Sequence, residues 1–393
     1  MANLQSSRLN DLSQCSAFLT EAGCEECFIT VRTRPGQTTT SALETLSAEY
    51  ASALGRMDLS DETMTFSRLF VSDYVNQRER LDASPLVQRL RSGVLSVIEE
   101  QPLDGGPLAL FSYHVRGFDS AALPVRHNGG SPCCCGLFRG KNYSLLFTAN
   151  HSDGKVFDAY QQTEVVFRHI NHAIEHGGMN LLDNTIRTWI FVRDIDNHYQ
   201  NMVRARREYF TDRGLTDMTR YLASTGIEGG GWLPEQLVTI DSLSIGPLAA
   251  GQIVRMETPS HMSPTSLYGV TFERGLRVRF GDRSHLHISG TASIDDKGDV
   301  LHVGDVVGQT RRAVENVRAL LAQQRATTAD LAYLICYVRN SHEWKWVQDV
   351  LNEEVGSSIP IVPVVAKVCR PSWLFEMEGM AVVADQTAYA PFA

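Results

Sequence analysis

No run of this sequence is apolar over the roughly 20 residues that a membrane-spanning helix needs. The first residues, Met1-Ala2-Asn3-Leu4-Gln5-Ser6-Ser7-Arg8, lack a basic stretch followed by an apolar one, so no signal peptide is expected. Cationic residues are in deficit, 36 Lys and Arg against 45 Asp and Glu. The resulting charge of −9 excludes a broad basic surface for nucleic acid. Paired metal-ligand motifs are missing too. Cys24-Glu25-Glu26-Cys27 has ligand spacing but no second such pair, and the adjacent cysteines Cys133-Cys134-Cys135 would alternate direction on an extended chain. The eight cysteines are expected to be reduced and structural. What remains is an ordinary globular composition, 43% hydrophobic, over a length of 393 residues that suits two or three domains. A cytoplasmic enzyme or binding protein is expected, with neither a membrane nor a nucleic acid as partner.

What is present is a repeat. The clearest copy has strands over 276–280 and 285–293, then a helix entered near Asp305 through Gln309-Thr310. The helix continues with Val314, Val317, Leu320 and Leu321, apolar positions that recur at three- and four-residue intervals. A strand over 334–338, a helix over 342–354 and a final strand close it. The same order recurs with a strand over 143–150, a helix through Gln162-Thr163, a strand over 189–194, a helix over 201–210 and a closing strand over 237–243. A shorter first copy has a strand over 28–31, a helix over 41–54, a strand over 69–73, a helix over 85–99 and a closing strand over 108–113. The distance from the Gln-Thr pair to the Asp or Asn after the next strand is 36 residues from Gln37 to Asp73, 32 from Gln162 to Asp194, and 31 from Gln309 to Asn340. Each copy mixes strands with two helices on one sheet face, so the class is α+β. The units are expected at 1–118, 119–250 and 251–393.

The last strand, read from Cys369 to Val383, carries Glu376 and Glu378 on one face. Beside Trp373, Phe375 and Met380, a carboxylate at a pocket edge would hold its proton to higher pH and could act as an acid. Two acids on a wet face are the plain alternative. Aligning the closing strands on Leu108, Leu237 and Leu374 sets Leu110 and Thr239 opposite Glu376, and Ser112 and Asp241 opposite Glu378. Only the third copy then keeps the donor. One competent cleft is expected, between the third copy and a neighbour, with Glu378 as an orienting acid.

The stretch from about Ser266 to Val383 resembles the RidA (YjgF) superfamily. The resemblance rests on His287-Ile288-Ser289-Gly290-Thr291-Ala292-Ser293, the Gly304-Asp305 to Gln309-Thr310 helix entry, Glu315-Asn316-Val317 and Glu376-Met377-Glu378. Such proteins are homotrimers with sites between subunits, so the resemblance implies tandem RidA/YjgF-like (chorismate-mutase-like) units forming a pseudo-trimer in one chain. The whole chain resembles the chorismatases. There the matching motifs are Ser289 to Ser293, Gly304-Asp305-Val306-Val307-Gly308-Gln309-Thr310, and Cys369-Arg370 ahead of Glu376. Arg187-Thr188-Trp189 and 199–210 resemble the middle segment that touches substrate.

The resemblance implies removal of pyruvate from chorismate, a small dicarboxylate, with no cofactor and no metal. Glu376 would protonate the enol ether, and its carboxylate would then steady the cation. Arg206, Arg274, Arg370 and Tyr268 are candidates for the substrate's carboxylates, with Tyr199 in the same middle segment. Arg206 also reads as part of a solvated face, Arg204-Ala205-Arg206-Arg207. In the resemblance a cysteine at Cys369 accompanies 3-hydroxybenzoate formation, whereas Ala292 points to a hydrolase giving a diene-diol. The family has Asn where Val203 stands. The alternatives are a RidA-type imine deaminase, whose arginine would fall near Pro363, and a non-catalytic binding protein. A monomer or a dimer is expected.

Overall fold

The computed structural model describes residues 3–103, 105–121, 133–156, 158–265 and 269–393. Its strands sort into three sheets of one topology. The first holds β1 (Asn3–Arg8), β2 (Ser13–Thr20), β3 (Gly23–Arg32), β4 (Met64–Val71) and β5 (Val94–Glu99). A two-residue strand β6 (Gln101–Pro102) follows, and β7 (Leu108–Val115) closes the unit. The order is β1-β2-β3-β7-β4-β5. Its helices are α1 (Thr39–Arg56), α2 (Tyr74–Asp82) and α3 (Pro85–Leu90).

The second sheet is built from β8 (Asp119–Ala121), β9 (Cys134–Arg139), β10 (Ser144–Ser152), β11 (Thr185–Val192), β12 (Ala223–Glu228) and β13 (Val238–Gly246). Helices α4 (Ala159–His176), α5 (Leu181–Asn184) and α6 (Ile195–Thr211) belong to it. The third contains β14 (Ile253–Met256), β15 (Gly275–Arg279), β16 (Arg283–Ala292), β17 (Leu331–Val338), β18 (Ile361–Val365) and β19 (Phe375–Ala384), with α7 (Val306–Gln323) and α8 (Trp344–Glu354). In each unit the closing strand sits at the sheet centre between antiparallel neighbours, and one parallel pair is joined by a helical crossover: β4 with β5, β11 with β12, β17 with β18. The fold is α+β, three tandem units in one chain.

Three expectations need correction. The segment over 85–99 is not one helix. Arg91-Ser92-Gly93 ends α3, and β5 begins at Val94. The last strand starts at Phe375 rather than Cys369, because Pro371 breaks the segment and Arg370 turns it. The equivalence of the closing strands also shifts by one in the first unit. The amides of Ser72, Arg193 and Arg339 donate to the carbonyls of Pro107, Leu237 and Leu374. Ala109, not Leu110, therefore corresponds to Thr239 and Glu376, and Phe111, not Ser112, corresponds to Asp241 and Glu378. The register agrees, since Phe70, Phe191 and Tyr337 are their cross-strand partners.

The helices cover the outer face of each sheet and the inner faces meet one another. Phe66 of the first unit stacks on Phe147 of the second at 5.0 Å, and Phe28 meets Tyr333 of the third at 5.6 Å. The units also join through backbone in a ring. Gln101 and Pro102 pair with β18, Gly230 pairs with Glu99 at the end of β5, and Val368 pairs with Ile227 in β12. Each unit thus lays the segment after its parallel pair on the preceding unit's edge.

Candidate active site

A cavity of about 150 Å³ lies between the second and third units. One wall comes from α6 and β12, the other from β16, β19 and the segment before it. Gln309 builds the second wall. At the start of α7 its Oε1 accepts from the Leu374 amide at 2.7 Å, and its Nε2 donates to the Ser372 carbonyl at 2.8 Å. Trp373 Nε1 donates to the Ser293 carbonyl at 2.9 Å. The entry to β19 is thereby fixed, and Glu376 follows two residues on. In the second unit Gln162 makes the same tie to Leu237 at 2.8 Å, whereas Gln37 turns to Arg34 and Thr45 instead.

Glu376 is 5% exposed and faces the cavity. No hydrogen bond reaches its carboxyl from the described residues. Burial pushes its pKa up to about 8, the nearby charge of Glu378 adds to this, and Arg187 and Arg274 oppose it. A β-carbon on Gly290 would overlap Glu376 Oε1, so the acid occupies room that only glycine leaves.

Cations surround the same space. Arg206 is 2% exposed, so it is not the solvated residue of its run; Arg204 and Arg207 are. Its Nε donates to Thr271 Oγ1 at 3.0 Å, while its buried Nη2 finds no partner among the described residues. Burial lowers its pKa. Arg274 donates to the Ser263 carbonyl at 3.0 and 3.2 Å. Arg370 lies over the Trp373 ring at 4.7 Å and donates to the Gly298 carbonyl at 2.8 Å. Tyr199 on the first wall and Cys369 and Ala292 on the second also line the cavity. Burial pushes the Cys369 thiol up to about 12, and the Glu376 charge adds to it, so it is protonated at neutral pH. Burial likewise raises Tyr199, whose hydroxyl meets that thiol. Tyr268, like Ser266, lies outside the described residues. Reading the sequence missed Val270, Phe272, Gly226 and Arg207, which also line the cavity. Only Gly226, within a poorly apolar strand, carried any signal. A larger open groove of about 820 Å³ runs past Met179, Arg220 and Leu248, and none of the predicted residues lines it.

The other two inter-unit positions differ. Where the third unit has Cys369, the backbone pairing of the ring places Trp232 and Leu103. Counting from Asp73, Asp194 and Asn340, which begin the second helical segments, Tyr199 corresponds to Arg78 and Lys345. The Arg78 guanidinium stacks on Trp232 at 4.0 Å. Of the three equivalent positions only Glu376 is a carboxylate, the others being Ala109 and Thr239.

Glu378 faces the molecular centre instead. Arg187 Nη2 donates to its Oε2 at 2.5 Å and Trp189 Nε1 to its Oε1 at 2.9 Å. Nearby, Arg68 Nη2 donates to Asp241 Oδ2 at 2.8 Å and its Nη1 lies 4.0 Å from Glu378 Oε1. None of the eight cysteines is joined in a disulfide. Among the described residues no cluster could hold a metal ion, and no helix is long and apolar enough to cross a membrane.

With this geometry established, three kinds of relatedness emerge. The family described as Endoribonuclease L-PSP matches residues 278–383. A 3-hydroxybenzoate synthase of Streptomyces hygroscopicus is 26% identical over 226 residues, 51% of this chain and 64% of that protein. A chorismatase of the same organism is 27% identical over 218 residues, 49% of this chain and 60% of that protein. The chain thus aligns with somewhat under two thirds of each. A RutC family protein of Pyrococcus horikoshii is 30% identical over 98 residues, 24% of this chain and 77% of its own length. A crystal structure of a chorismatase superposes with a TM-score of 0.60 at 20% identity, over 82% of this chain and 94% of that one, a likeness of fold.

Proposed function

We propose, for a chain that belongs to the RutC family and has a 3-hydroxybenzoate synthase and a chorismatase among its homologues, that it removes pyruvate from chorismate or a close enol ether. The carrying observation is a buried carboxyl that keeps its proton at neutral pH and stands in a cavity otherwise edged by arginines. Glu376 gives its proton to the terminal methylene carbon of the enolpyruvyl group. The double-bond electrons form the new C–H bond, and the adjacent carbon becomes an oxocarbenium ion. The carboxylate left behind lies against that cation. Water addition and cleavage of the C–O bond then give pyruvate and a dihydroxycyclohexadiene carboxylate. Where the ring then also loses its other hydroxyl with a ring proton, as water, the products are pyruvate and a hydroxybenzoate.

Arg206, with a buried N–H that has no partner among the described residues, is assigned to one substrate carboxylate, and Arg274 and Arg370 to the second. Tyr268 is likewise assigned to the substrate's carboxylates, and Tyr199 to contact with the substrate. Cys369 and Ala292 flank the reacting centre and are assigned to choosing the product. The proton donor and the binding charges are all side chains, so the reaction is proposed to need no cofactor. We take 1–118, 119–250 and 251–393 as the three units of a cytoplasmic monomer or dimer. A deaminase reading is less supported, since Pro363 in β18 stands where its arginine is expected.

Incubation with chorismate and an enzymatic pyruvate assay tests the reading, with chromatography to identify the aromatic or diene product. Glu376→Gln is expected to cut the rate by about 10²-fold or more, the scale of a lost general acid. Equal pyruvate from wild type and variant would remove Glu376 from the role.

A further inference from the structure

Glu376 and Glu378 lie on one face of β19, and the structure treats them oppositely. Glu376 opens to the cavity with no hydrogen bond from the described residues. Glu378 is held by Trp189 and by Arg187, whose Nη2 also donates to Thr225 Oγ1 at 2.6 Å. Thr225 and Glu376 both border Gly290, so the two acids are linked through Arg187 and Thr225 in one packed chain. Behind Glu378 stands Arg68 from the first unit, which Asp241 anchors with help from Ser96 at 2.6 Å. Two arginines therefore secure two carboxylates at the meeting point of three units, with Glu378 at the end nearest the cavity.

We propose that Glu378 is a positioning residue for this site, a fixed negative charge that keeps the proton on Glu376, and that Arg68 of the first unit tempers that charge. This deepens the reading of Glu376 as the proton donor and rests on it. The Glu378 carboxylate accepts from a guanidinium and an indole N–H, and with that negative charge two residues along the same face Glu376 releases its proton less readily. The groups facing Glu376 and its cavity from other elements are Tyr337 on β17, Arg187 on β11, Tyr199, Arg206 and Arg207 on α6, Arg274 ahead of β15, and Cys369 and Arg370 ahead of β19. The arginines oppose proton retention, and the tyrosines and the thiol carry no charge at neutral pH. Glu378, on the same strand, is the charge that favours it. The first unit contributes no residue to the cavity yet acts on its acid.

The test reads the carboxyl itself, without substrate. The infrared carbonyl band of protonated Glu376 is isolated as the difference between wild type and Glu376→Gln and followed against pH. In the Glu378→Gln background, isosteric and still able to meet Trp189, the midpoint of that band is expected to fall by about one pH unit or more, tenfold in proton affinity. Arg68→Met should move it the opposite way, and it carries the test if Glu378→Gln does not fold. Trp189→Phe, which keeps the charge, should leave the midpoint in place while lowering the melting temperature. Midpoints that stay put in both charge variants, or that shift equally in Trp189→Phe, overturn the proposal. Absence of pyruvate release from chorismate would overturn the functional reading and leave this one standing.

Discussion

Glu376 is the residue whose protonation the fold alters most usefully. Folded, it releases its proton near 8; unfolded, near the ordinary 4.5. Between those values the folded chain binds more protons, so stability is fully present below about 4.5 and declines as pH climbs through about 8. Glu376→Gln removes this liability. Its melting temperature should exceed that of wild type by more at about pH 9 than at about pH 5, which thermal melts at both pH values check. Arg206 carries the complementary expectation. Arg206→Met keeps much of the apolar stem and deletes charge-assisted donors to a substrate carboxylate. KM should rise by about 10–100-fold, the range for losing a hydrogen bond to a charged group, with a smaller change in kcat. Equal KM would place Arg206 outside the binding set. The acid was legible in sequence because its strand repeats twice without it. Burial of Arg206 was not, because a run of three arginines in four positions looks the same whether its helix faces water or a neighbouring unit.

At the scale of elements, the crossing of β16 and β19 decides where the acid sits. Ala292 pairs with Glu376 across these strands, and the register shifts between Ile288 and Thr291, where Gly290 opens the gap that Oε1 fills. Gly290→Ala should displace the carboxyl toward the cavity and lower kcat well beyond its effect on stability, where overpacking costs about 1–3 kcal/mol. Comparing turnover with melting temperature separates the two. The sequence made the long helices α1, α4 and α7 plain through their periodicity. It hid β5 and β12, which are short and lie directly beyond helices or turns. Ala223-Ser224-Thr225-Gly226-Ile227-Glu228 has one large apolar residue, because its side chains serve a cavity and an inter-unit contact rather than a hydrophobic core. The one-residue slip in the first closing strand has a similar origin. Leucines at 108 and 110 invite alignment with Leu237 and Leu374, yet the hydrogen-bonded counterpart is Pro107.

Across the whole molecule, threefold resemblance of backbone coexists with one furnished cleft. Trp232 and Leu103 occupy the ground where Cys369 stands, and Thr239 and Ala109 replace the acid. Thr239→Glu alone should therefore add no second turnover site. It should lower stability, since the new carboxyl would lie beside Asp241 in a dry interior. Pyruvate release per mole of protein and a melt check both halves. The repeat could be read from spacing, but the filling of two clefts could not, because it depends on contacts between residues more than a hundred positions apart.

The backbone ring has a consequence in time. Gln101 and Pro102 wait for β18, some 260 residues downstream, and β19, which carries Glu376, follows β18. A nascent chain cannot seal its first unit until β18 of the third has emerged, so this long-range closure comes late in maturation. A messenger truncated anywhere before β19 would yield protein with no fraction of the activity, however much of the earlier chain had already folded.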